Sequence, residues 1–169
     1  EDMTKERGTI QETIDFIVKL LDEAMADLPW AMPASENKEW EGRLTKASAM
    51  ALKARMLLFV ASPLFNDSKP YMEGDAANKH NVWLGGYKEE LWERALTAHK
   101  EFFDELAKNG QYGLVTKSDP RQAFRSGYLD RGTGETLIAT HYGYTVPDFW
   151  TWEWSFYETA GEMGTACGT

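Results

Sequence analysis

Residues 43–66 read RLTKASAMALKARMLLFVASPLFN, and this stretch decides the fold. Ala47, Ala51, Ala54, Leu58 and Ala61 recur at three- and four-residue steps, which places them on one helical face. Met50, Leu57 and Leu64 widen that face, and Leu52, Met56, Phe59 and Val60 put apolar surface on other sides. A helix apolar nearly all round needs neighbours on more than one side. Its alanines let a second helix axis come close. Lys46, Lys53 and Arg55 are the charges inside it, and their stems can lie along apolar surface while the heads reach water. Thr45 has the hydroxyl of an N-cap. Pro63 stops the helix, because its ring disfavours helical geometry at Ser62 and supplies no N–H. The spacing therefore predicts a central packing helix.

Upstream, Thr9 and Glu12 fit a capping box. Ile10, Ile14, Ile17, Leu21, Ala24 and Leu28 then mark one face at steps of four and three, flanked by Phe16, Leu20 and Met25, and Pro29 ends the helix. The connection 29–42 is long for a helical hairpin, whose loops run about two to eight residues. Trp30 and Trp40 in it read as covers for core edges. Residues 66–87 form a second long connection, rich in Gly, Asn, Asp and Lys and carrying Tyr71, Trp83 and Tyr87. Long ordered loops are often functional. A third helical pattern runs from Tyr87 to Lys108. Leu91, Trp92, Ala95, Leu96, His99, Phe102, Phe103 and Leu106 are placed inward, and Glu89, Glu90, Glu93, Lys100, Glu101 and Asp104 outward. Asn109 and Gly110 supply a left-handed stop. The texture then changes: residues 112–120 read as an extended piece and a turn at Ser118-Asp119-Pro120, Ala123-Phe124 as a fragment of helix, and residues 135–142 as a short strand or extended segment.

The run from Gly42 to Asn66 resembles the motif helix of the SusD/RagB family, nutrient-binding lipoproteins of the outer membrane. The match holds at Gly42, Arg43, Thr45, Lys46, Ala49, the ALKAR block 51–55, Leu57, Leu58 and the exit ASPLFN at 61–66. It departs at Ser48, Phe59 and Val60, which read as swaps a core can accept. FIVKLLDEAMADLP at 16–29 is similar to the family as well, and LWERALTAHKEFFDEL at 91–106 looks like a tetratricopeptide helix through Trp92 and Ala95. The resemblance covers residues 10–115 well and is weaker beyond. It implies a mostly α fold of tetratricopeptide-like antiparallel helix pairs with long loops and a short irregular or extended C-terminal part. Residues 1–112 would form the helical portion and 113–169 a loop-rich portion of the same domain. Family chains are several times longer, so this one is expected to be an internal portion.

Composition narrows the chemistry. A formal charge of −9 disfavours nucleic acid and anionic membrane surfaces, which need clustered Lys and Arg. One cysteine excludes an internal disulfide, and no Cys/His spacing resembles a zinc site. The longest apolar run, Met56 to Ala61, is far too short to cross a bilayer. Cys167 does not stand where the resembled family carries its lipidated cysteine, at the mature N-terminus.

Seven Trp, seven Tyr and eight Phe are many for 169 residues and are unevenly placed, eight of them within YGYTVPDFWTWEWSFY at 142–157. Trp150, Trp152 and Trp154 alternate, so in an extended chain they point to one side. The C–H-rich faces of pyranoses stack on such rings, while hydroxyls seek flanking polar groups. Packing against further chain is the competing account of the same rings. Tyr142, Tyr144, Trp150, Trp152 and Trp154 are the candidate ligand-binding residues. Asp148, Glu153, Glu158 and Glu162 offer carboxylates, but glycoside hydrolysis needs two acids about 5–10 Å apart across the bond, a separation that sequence does not supply. His80, His99 and His141 are scattered, and His99 reads as a satisfied core histidine. No nucleophile triad, P-loop or dinucleotide fingerprint is present.

The expectation is binding without catalysis, metal or cofactor. The resemblance implies an oligosaccharide or starch-like polysaccharide as ligand and delivery to a SusC-like TonB-dependent transporter. It also implies a place on the outer-membrane surface, held by a lipid anchor outside this segment. The alternative is a helical-repeat interaction module whose groove takes a peptide or protein partner.

Overall fold

Three helix starts follow from side chains that satisfy orphan backbone donors. The computed structural model describes residues 6–32, 43–130 and 133–138. The chain divides into two units, Glu1–Ile138 and Ala139–Thr169, and every described residue belongs to the first. Helix α1 (Ile10–Asp27) begins in the expected capping box: the Glu12 N–H donates to the Thr9 hydroxyl at 3.2 Å and the Thr9 N–H to Glu12 Oε2 at 2.8 Å. Helix α2 (Lys46–Ala61) has the same device, with the Ser48 N–H on the Thr45 hydroxyl at 3.2 Å and the Thr45 N–H on Ser48 Oγ at 2.7 Å. Ser48 is thus more than a tolerated swap: it is fully buried and completes the cap. Pro63 follows the C-cap Ser62, as the sequence predicts.

The other helices are α3 (Asp75–Asn78), α4 (Glu90–Asn109) and α5 (Pro120–Leu129). Gly110 ends α4 with φ of 64°, and its N–H donates to the Leu106 carbonyl at 2.8 Å. No strand occurs among the described residues. The fold is mostly α, as read from the sequence.

Helix α2 packs against both α1 and α4. The Lys46 N–H reaches the Pro29 carbonyl and Lys53 pairs with Asp22, so α1 and α2 are antiparallel. Lys46 faces Glu105 while Asn66, just beyond α2, holds Lys88, just before α4, so α2 and α4 are antiparallel too. Helices α1 and α4 therefore run parallel on two flanks of α2. The core gathers Ile14 from α1, Ala54, Leu57, Val60 and Ala61 from α2, Leu91, Ala95 and Ala98 from α4, and Leu84 from the connection before α4.

The inward stripes differ in detail from the periodicity reading. On α2 the buried row is Ala47, Met50, Ala54, Leu57 and Ala61, whereas Leu58 is 44% exposed. One residue is 100° of helix rotation, so the stripe through Leu57 turns Leu58 outward. On α4, Leu91, Ala95 and Ala98 are buried, while Trp92, Leu96 and Phe103 are exposed. Close approach by alanine-lined α2 needs the small Ala95 and Ala98 at the seam, which rotates the larger side chains away. His99 is half-buried, with Nδ1 2.7 Å from the Ala95 carbonyl, a satisfied histidine.

The long connection between α2 and α4 acts as a strap. Its His80 carbonyl accepts the Ile10 N–H at 2.8 Å, and Asn81 donates to the Arg7 and Gly8 carbonyls. Trp83 stacks on His80 and gives its indole N–H to the Asp67 carbonyl at 2.9 Å. Trp30 covers a core edge as expected. It lies beside Phe102 and Tyr112 and donates to the Gly110 carbonyl at 3.0 Å. Trp40 lies outside the described residues.

The C-terminal reading needs two corrections. Asp119 and Pro120 do not make an isolated turn; they start α5, a ten-residue helix, with Asp119 accepting from the Arg121 N–H at 2.9 Å and Pro120 opening the first turn. Of the segment 135–142, residues 135–138 fold through a turn and a bend rather than a strand or extended run, and 139–142 lie outside the described residues. The Gly113 N–H donates to the Gly134 carbonyl and the Thr136 N–H to the Thr133 carbonyl, so the chain folds over locally and forms no ladder.

Candidate functional site

Helix α5 carries Phe124 and Tyr128 four residues apart, so both rings stand on one face. Their planes are parallel, with centroids 6.3 Å apart, and they are 75% and 81% exposed. Beside them opens a groove of about 240 Å³, whose apolar side includes Leu114, Val115 and Ala123.

Glu135 supplies the polar side. Its Oε1 accepts the Val115 N–H at 2.6 Å, which anchors the carboxylate at the groove. The other oxygen lies against Gly127, where an added Cβ would sit 2.6 Å from Oε2. Glycine on this turn of α5 is therefore what allows the carboxylate so close to the helix. The arrangement offers two parallel, exposed rings for stacking and a fixed acceptor for a hydroxyl.

A second, larger groove of about 390 Å³ lies between α1 and α4, above α2. Lys53 and Arg94 line it, and each is held by α1: Lys53 Nζ by Asp22 at 2.6 Å and Arg94 Nη2 by Asp15 at 3.2 Å. The Arg94–Asp15 pair is exposed and contributes on the order of 1 kcal/mol or less, while the Lys53 head is drawn into the partly buried wall.

The sequence-derived ligand residues Tyr142, Tyr144, Trp150, Trp152 and Trp154 lie outside the described residues, as do Asp148, Glu153, Glu158, Glu162, His141 and Cys167. Phe124, Tyr128 and Glu135 were not among the sequence-derived candidates. Phe124 and Tyr128 were legible as an aromatic pair at helical spacing behind an Asp-Pro cap. The approach of Glu135 was not. Among the described residues no group of three or more His, Cys, Asp or Glu is placed to hold a metal, and no helix is long and apolar enough to cross a membrane.

No family model matches the chain, and no curated protein does. Solved structures do match. The protein BT4246 of Bacteroides thetaiotaomicron shares 33% identity over 67% of this chain, with a TM-score of 0.54. Its selenomethionine form gives 34% identity, the same coverage and a TM-score of 0.52. The chain spans 19% of that protein's length. The helical arrangement is thus shared with a Bacteroides protein roughly three and a half times longer.

Proposed function

We propose that this chain is part of a SusD/RagB-type glycan-binding protein and that the face formed by Phe124, Tyr128 and Glu135 contributes to its carbohydrate contacts. One observation carries the reading: two parallel, largely exposed rings stand next to an anchored carboxylate at an apolar groove. A solvent-exposed aromatic pair retains its apolar contact area for a ligand, and a pyranose matches it with a C–H face and peripheral hydroxyls. The motif run 42–66 and the likeness to a Bacteroides protein support the family assignment. In this reading the work is capture without chemistry, at the outer-membrane surface, with the anchor outside this segment. Captured oligosaccharide passes to a SusC-like TonB-dependent transporter. Tyr142, Tyr144, Trp150, Trp152 and Trp154 are, in this reading, a further set of ligand-binding residues.

Affinity gel electrophoresis in soluble starch and a panel of other soluble polysaccharides tests this. At least one polysaccharide should retard the protein, and F124A/Y128A should abolish or strongly reduce that retardation. If no polysaccharide retards the protein, the glycan reading falls. If one does and F124A/Y128A migrates like the parent, the face on α5 is wrong, and W150A/W152A reports on the second aromatic set.

A further inference from the structure

We infer that the groove between α1 and α4 is a docking site for a cationic amphipathic helix of a partner protein. The floor is apolar and shallow, made by Val18, Leu57 and Ala98, one from each of the three helices. Along the α4 side stand Glu90, Glu93 and Glu101, which fall within one narrow stripe of that helix. From the first to the last of them the stripe runs roughly 16 Å at 1.5 Å per residue, the length of about three helical turns.

The charge balance of the groove is what selects the partner. Its two cations, Lys53 and Arg94, already face Asp22 and Asp15. Glu90, Glu93 and Glu101 form no ion pair or side-chain hydrogen bond with any described residue. An uncompensated acidic wall over an apolar floor is complemented by a helix with small apolar residues on one face and Lys or Arg beside them. A second copy of this chain, with a formal charge of −9, is a poor complement, and a neutral glycan would leave the wall unanswered. This inference does not depend on the carbohydrate reading.

The test uses the 169-residue chain and a fluorescein-labelled fourteen-residue peptide (a design of about four turns), followed by fluorescence anisotropy. The peptide carries Ala and Leu on one face and Lys in a flanking row. A second peptide has Glu for each Lys, and a third scrambles the first to destroy its amphipathic face. The Lys peptide should bind saturably and at least tenfold more tightly than the other two. E93K/E101K should weaken it at least tenfold and bring up binding of the Glu peptide, with far-UV circular dichroism unchanged. E93Q/E101Q, which removes charge without reversing it, should give an intermediate loss. E73K, a reversal on the strap outside the groove's lining, should leave affinity within about twofold. Equal binding of the Lys and scrambled peptides, an E73K effect as large as that of E93K/E101K, or no saturable binding overturns the inference.

Discussion

Asn66 and Lys88 are joined at both backbone groups of the lysine, across 22 residues of sequence. The Lys88 N–H donates to Asn66 Oδ1 at 2.7 Å, and Asn66 Nδ2 donates to the Lys88 carbonyl at 3.0 Å and to the Ala61 carbonyl at 3.3 Å. Asn66 is 2% exposed. A side-chain amide is one of the few groups able to donate and accept at once in this way. The final residue of the motif run thus ties the end of α2 to the start of α4.

Asn66→Ala should therefore cost about 1–3 kcal/mol, because it leaves buried backbone groups unpaired. For a chain of this size that lowers Tm by roughly 2–4 °C per kcal/mol. Hydrogen exchange should speed up across the 62–88 strap before it does in α2. An unchanged Tm would mean that water replaces the amide.

Leu57→Ala and Leu58→Ala separate the two possible inward stripes of α2. The buried Leu57 should cost about 2–5 kcal/mol on truncation. Half-exposed Leu58 should cost about 1 kcal/mol or less. Chemical denaturation measures both, and a larger loss at Leu58 would reverse the orientation of the helix.

Gly127→Ala tests the approach of Glu135 to α5. The new methyl would meet the carboxylate at 2.6 Å, and the flexible Glu135 side chain is the group that must move. Helix propensity offsets the disturbance, since alanine is favoured over glycine by about 1 kcal/mol in a helix interior. Stability should hold or rise slightly while retardation by polysaccharide weakens. Glu135→Gln, which keeps an acceptor oxygen, should weaken retardation less.

The α1 capping box sets a pH response. The Thr9 backbone N–H, and then its hydroxyl, hold the Glu12 carboxyl below the usual glutamate range. The Lys108 ammonium does the same for Glu105. A carboxylate lowered in the folded state adds stability above its unfolded pKa, and that contribution is lost as pH falls through the folded value. Carboxyl NMR titration should place the Glu12 midpoint below the usual glutamate value. Thr9→Ala should raise it only in part, because the backbone donor remains. A Glu12 midpoint at the usual glutamate value would show that the box does not form in solution.

The helices were legible in sequence because their determinants lie within four residues of one another. Thr9 with Glu12, Thr45 before α2, Pro63 after it and Gly110 after α4 act through their own turns. Spacing also identified α2 as the helix with neighbours on two sides, since its apolar residues run round the axis. Tertiary structure decided the rest. Whether Leu57 or Leu58 faces the core is a 100° rotation that periodicity in an all-round apolar helix leaves open, and contact with Ala95 and Ala98 of α4 settles it. The clamp from Asn66 to Lys88 and the meeting of Glu135 with Gly127 and Val115 join residues far apart in sequence. No local pattern encodes such pairs, because their geometry exists only once the intervening chain has been folded between them.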